Sequence, residues 1–152
     1  VMHSSFTEAV RTVDDVLGSS AVLRRLGYAT CSRDLSEETQ ALPAMCRFTL
    51  QTSWSRRLAI CFCYQRDGNH FLTVEVFNPP AASSFLLDEW LVRQGVTLDP
   101  YPFILSSYMG TQGERLAGFV SFLERHLASP GLAGILSGRE WADIPFDWGT
   151  LK

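Results

Sequence analysis

Apolar positions along this chain recur with two periods, and each predicts an element. Phe6, Val10, Val13 and Leu17 follow a helical spacing. Ser5 and Glu8 form a capping-box pair ahead of them and Gly18 supplies a stop, so a helix is predicted over 6–17. Ser19 or Ser20 caps a short second helix, 21–26, and Tyr28 to Cys31 reads as extended. The polar run from Arg33 to Ala44 reads mostly as an exposed loop. From 44 to 53 the period changes to two. Cys46, Phe48 and Leu50 alternate with Arg47, Thr49 and Gln51, the pattern of a half-buried strand.

Two further apolar runs, 57–64 and 70–78, flank Asp67-Gly68. Asp-Gly suits the two positive-φ positions of a type I′ turn, which predicts a tight hairpin. With Asp67 and Gly68 central, Cys63 faces Leu72, Cys61 faces Val74 and Ala59 faces Val76. Tyr64 then faces Phe71, Phe62 faces Thr73 and Leu58 faces Phe77. Both faces of such a hairpin are largely apolar, which places it inside a sheet covered on both sides.

Asn78-Pro79-Pro80 ends this meander, because proline cannot donate to a ladder. Ser83 or Ser84 then caps a helix over 84–94, with Leu87, Trp90 and Leu91 on one face. Residues 102–108, centred on Phe103, Ile104 and Leu105, form a further strand candidate. Leu116, Phe119, Val120, Leu123 and Leu127 predict a long amphipathic helix over 114–128. A short helix follows from Pro130, and the aromatic tail Trp141 to Trp148 reads as an irregular strap. The prediction is a single α+β domain over 1–152. Its antiparallel sheet has four or five strands, made of a three-stranded meander at 44–78 plus strand 102–108. Helices 6–17, 84–94 and 114–128 pack on it.

Composition narrows the function. The chain has 152 residues, 46% hydrophobic and 19% charged, with a formal charge of −3. A nucleic-acid binder needs a clustered basic surface, and only Arg24-Arg25 and Arg56-Arg57 are adjacent basic pairs. No apolar run approaches the ~20 residues of a bilayer span. The start does not read as a signal peptide, so a cytoplasmic protein is expected. Cys31, Cys46, Cys61 and Cys63 lack Cys-x-x-Cys spacing and read as reduced thiols, with no metal or cofactor expected.

Candidate chemistry is sparse. His3, His70 and His126 have no nucleophile or carboxylate at a recognisable spacing. Asp14-Asp15, Glu37-Glu38 and Asp88-Glu89 are adjacent pairs, which diverge by about 100° when on a helix and do not converge on a substrate. Gly110-Thr-Gln-Gly113 precedes a helix, but no Gly-Lys-Ser/Thr follows. The residues that stand out are aromatic. Trp54 lies beside Arg56, and Trp148 lies near Asp143 and Asp147, a composition that suits a protein contact.

The order of helix, meander, helix, strand, helix resembles type III secretion chaperones up to Tyr108, after which those proteins usually carry a second hairpin. Leu136-Ser-Gly-Arg-Glu-Trp141 and Phe146-Asp-Trp148, following a long amphipathic helix, resemble small cytosolic immunity proteins of bacterial toxin systems. That resemblance implies a non-enzymatic inhibitor binding one protein partner and carries over no functional residue; the aromatic and charged residues themselves make Trp54, Arg56, Asp143, Asp147 and Trp148 the expected contact patch. The chaperone resemblance implies instead a homodimer that holds a secreted effector. A thiol-dependent or hydrolytic enzyme using Cys61, Cys63 or His70 is the third alternative.

Overall fold

The structure is a computed structural model that describes residues 2–52 and 56–141, with side chains from Phe6 onward. Helices α1 (Met2–Gly18) and α2 (Ala21–Arg25) precede four strands: β1 (Ala29–Ser36), β2 (Met45–Gln51), β3 (Arg57–Cys63) and β4 (Phe71–Asn78). Strand β5 (Ser83–Leu86) runs directly into α3 (Leu87–Arg93), and α4 (Gln112–Leu127) and α5 (Pro130–Leu136) complete the described chain. The domain is α+β, as predicted, and its five-stranded antiparallel sheet follows chain order, β1-β2-β3-β4-β5.

Several elements differ from expectation for identifiable reasons. Helix α1 begins at Met2, so Ser5 lies within the helix and not ahead of it. The extended reading at Tyr28 to Cys31 lengthens into β1, whose ladder reaches Ser36 through a bulge between Thr30 and Ser32. Ser83 and Ser84 pair with Asn78 and Phe77 in β5, so the helix expected from 84 starts only at Leu87. Residues 102–108 form no strand. They give a single bridge, Ile104 to Phe71, and then a 3₁₀ turn over Leu105–Ser107. The capping box falls where it was not sought: Thr111 accepts from the Glu114 N–H while Glu114 accepts from the Thr111 N–H, starting α4.

The hairpin departs most. Cys63 pairs with Phe71, Phe62 with Leu72, Cys61 with Thr73, Ile60 with Val74 and Leu58 with Val76. This is one residue off the tight-turn register. Residues 64–70 connect the strands, and the Gly68 N–H donates to Gln65 O at 3.0 Å. Gly68 is left-handed at φ 84°, while Asp67 is not, so the pair of positive-φ residues that a type I′ turn requires is absent. Asp67 instead accepts from the Asn69 N–H through its carboxylate.

A one-residue slip changes which side chains share a face. Leu58, Ile60 and Phe62 now join Leu72, Val74 and Val76, together with Cys46, Phe48, Leu50 and Phe85, on one wholly buried side. Against them pack Phe6, Val10, Val13 and Leu17 of α1, Leu87, Trp90 and Leu91 of α3, and Leu116, Phe119 and Leu123 of α4. The other side keeps the mixed set: Arg47, Thr49, Gln51, Arg57, Cys61, Thr73, Glu75 and Phe77, which are half-buried to exposed. Among the described residues the sheet is thus covered on one side, and the expectation of two buried faces is corrected.

Candidate functional site

The open face takes its shape from the ladder. Reading across the strands, one row is Arg47, Cys61, Thr73; the next is Thr49, Ala59, Glu75, Leu86; the third is Gln51, Arg57, Phe77, Ser84. Ala59 is small, so the Arg47 guanidinium reaches diagonally over it and lies 5.6 Å from the Phe77 ring centroid. That contact closes over Ala59, which is 4% exposed although it stands on the open side. Glu75 is held by Ser84, whose hydroxyl donates to it at 2.7 Å.

Beside this row a shallow groove of about 420 Å³ runs between β1 and β4, with Asp34, Arg47, Arg57 and Phe77 among its walls. Two guanidinium groups face one carboxylate there. Arg57 Nε is buried with no hydrogen-bond partner among the described residues, a state that costs free energy. The groove offers donors and an aromatic wall. It is suited to holding an acceptor-bearing side chain.

The expected contact patch is only partly visible. Trp54, Asp143, Asp147 and Trp148 lie outside the described residues. Arg56 is 6% exposed, and its role differs from the surface contact assigned to it. Its guanidinium donates to Ile135 O at 3.0 Å, Asn78 Oδ1 at 2.8 Å and Glu140 O at 3.0 Å, and lies 5.1 Å from the Trp141 ring. Arg56 therefore ties the end of α5 and the following turn to the sheet. Trp141 packs half-buried on Phe85, with ring centroids 5.3 Å apart.

The enzyme alternative names Cys61, Cys63 or His70, and the fold places the thiols apart from His70. His70 is 5% exposed, packs edge-on to Phe62 at 5.2 Å and stacks on Tyr64 at 4.7 Å. Phe62 points to the helix side, while Cys61 and Cys63 stand on the open side, so the sheet separates them. Cys46 is on the helix side, where burial pushes its thiol up to about 11. Among the described residues, no three His, Cys, Asp or Glu side chains cluster in a way that would hold a metal ion.

His70 instead sets the hairpin connection. Its Nδ1 accepts from the Gln65 N–H at 2.9 Å, which fixes the neutral tautomer with the proton on Nε2. Burial lowers its pKa, with Asp67 opposing, and His126 is lowered by burial and by Arg125. A lowered folded pKa means that the unfolded chain takes up protons first. Stability is then complete above the unfolded value of about 6.5 and is lost as pH falls from there toward the folded values. The urea midpoint is expected to be lower at about pH 5.5 than at about pH 7.5, and His70→Gln to flatten the difference. An unchanged wild-type midpoint would contradict the assignment.

The groove was missed because it depends on strand register, which the sequence leaves ambiguous here. The available signal was Arg47 and Arg57 at polar positions of strands otherwise rich in apolar residues. No helix among the described residues is long and apolar enough to cross a membrane. No family model, no curated protein and no solved structure gives a significant match to this chain.

Proposed function

We propose that this chain is a non-enzymatic binding module that neutralises or protects one protein partner, as immunity-type inhibitors of bacterial toxins do. The open sheet face is its contact surface. The observation that carries this reading is Arg57 Nε, buried and unpartnered among the described residues, in the groove floored by Arg47, Phe77 and their neighbours. A partner carboxylate or carbonyl placed there satisfies Arg57 and gains the second guanidinium, Arg47. Aromatic and arginine side chains of this kind dominate binding free energies at protein interfaces. The partner is accordingly a protein that presents an acidic side chain to this face.

The test begins with the product of the neighbouring gene. Co-expression should relieve its toxicity, and calorimetry should give a measurable Kd. Arg57→Ala and Phe77→Ala are each expected to weaken binding about tenfold to a hundredfold, or ~1.4–2.8 kcal/mol, with circular dichroism unchanged. Affinity within about threefold of wild type for both variants would place the contact elsewhere. Light scattering that shows a homodimer hiding Arg57 and Phe77 would turn the reading toward a secretion chaperone.

A further inference from the structure

Strand β1 is one edge of the sheet, and among the described residues it pairs only with β2. The Tyr64 N–H donates to Ala44 O at 2.9 Å, which makes Ala44 and Tyr64 a hydrogen-bonded pair at the end of the β2–β3 ladder. Backbone direction alternates along a strand. Cys46 and Phe48 therefore also turn their N–H and C=O groups to β3, while Met45, Arg47 and Thr49 turn theirs to β1. Ser36, Asp34 and Ser32 stand opposite those three and bond inward. Arg33 and Leu35 are left with N–H and C=O groups facing outward, where no hydrogen-bond partner stands among the described residues.

The side chains on this edge complement one another. Leu35 stands opposite Cys46, so it projects on the helix side, and it is 57% exposed. Arg33 projects on the same side, where its Nε and Nη2 donate to Asp14 at 2.9 and 2.8 Å and leave Nη1 unused. Glu37 follows the strand directly and is exposed.

We propose that two copies of this chain join antiparallel along β1, across a two-fold axis at Leu35. Such an axis, perpendicular to the sheet, keeps each side chain on its own side, so it passes through one residue, which meets its own copy. At Arg33 or Asp34 the axis would set like charges directly opposite, which is destabilising. At Ser36 it would set Asp34 against Glu38. At Ser32 it would fall beside the bulge between Thr30 and Ser32, where the strand is irregular. At Leu35 the two leucines meet, Asp34 meets Ser36, and Arg33 meets Glu37 twice, with Nη1 available to the second carboxylate. Leu35 and Arg33 are also the residues whose backbone groups face outward, so both rows fall at hydrogen-bonded positions and the open groups are paired. The other edge, β5, has four residues and runs directly into α3, which leaves a shorter ladder. Pairing at β1 extends the sheet in its own plane and leaves Arg57 and Phe77 uncovered, so the dimer stands or falls independently of the proposed contact face.

Analytical ultracentrifugation of the full chain from about 10 µM to about 1 mM brackets a weak association of this kind. A monomer–dimer equilibrium is expected, and by NMR the Arg33 and Leu35 amides should exchange hydrogen more slowly at the higher concentration. Leu35→Lys sets two ammonium groups opposite each other at an exposed site and is expected to weaken the dimer about tenfold or more. Glu37→Arg should weaken it about fivefold, and adding Arg33→Glu to Glu37→Arg should restore it. Circular dichroism checks that each variant is folded. A monomer at every concentration, or a dimer whose Kd Leu35→Lys leaves within about threefold of wild type, would overturn the proposal.

Discussion

Replacing Arg56 with alanine is expected to destabilise the domain by about 3–5 kcal/mol, because a buried charged donor makes several hydrogen bonds of ~1.5–3 kcal/mol each and Asn78 Oδ1 and Glu140 O lose theirs. The acceptors are Ile135 O, Asn78 Oδ1 and Glu140 O. Ile135 lies in the last turn of α5, where its carbonyl also accepts from the Gly138 N–H at 3.1 Å and a cation is favoured. Arg56 therefore serves as a side-chain cap delivered from the start of β3. Tyr28 supports the same end, its hydroxyl donating to Leu136 O at 2.8 Å. For a domain of this length the loss corresponds to a fall in Tm of roughly 10–15 °C. Arg56→Lys is expected to recover only a minor part, since an ammonium cannot span three separated acceptors in one plane. Thermal and urea denaturation decide the matter. A loss below about 1 kcal/mol for Arg56→Ala would mean that water or a neighbour replaces the guanidinium at little cost.

Phe103→Ala is expected to cost about 3–5 kcal/mol, the range for emptying a buried aromatic site. Phe103 is 1% exposed and lies in the segment that forms no strand. Its ring meets Phe119 at 5.8 Å and Phe122 at 5.5 Å, both edge-on, with Tyr101 at 5.4 Å. Two backbone bonds fix the segment against β4: Leu72 N–H to Phe103 O and Leu105 N–H to His70 O, each 2.9 Å. The side chain thus performs the anchoring that a strand ladder would otherwise share. Phe103→Leu keeps most of the volume and is expected to lose no more than about 1.5 kcal/mol. Equal losses for the two variants in urea denaturation would show that ring geometry, not buried volume, holds 102–108 in place.

Local periodicity carried α4 and α1 through to the fold, because a 3.6-residue stripe such as Leu116, Phe119, Leu123 and Leu127 has one stable way to bury itself. The alternation Cys46, Phe48, Leu50 likewise settled which side of β2 faces the helices. What local pattern left open was any choice between two comparably apolar arrangements. Both registers of β3 and β4 bury aliphatic side chains, and the decision came from the longer 64–70 connection, held by His70, Asp67 and Gly68. Ser83 and Ser84 suit a helix cap as well as a strand, and the free edge of β4 drew them into β5. Arg56 and Arg57 look alike in sequence, yet one is sealed under α5 and the other stands in the groove on the opposite face.

The sequence by itself determined the class, helices α1 and α4 and the buried positions of β2, since these depend on spacing within a few residues. Only the tertiary structure decided the register, and with it the uncovered face and its arginines. A side chain's partners across a sheet depend on residues far away in the chain, and a slip of one residue exchanges them all.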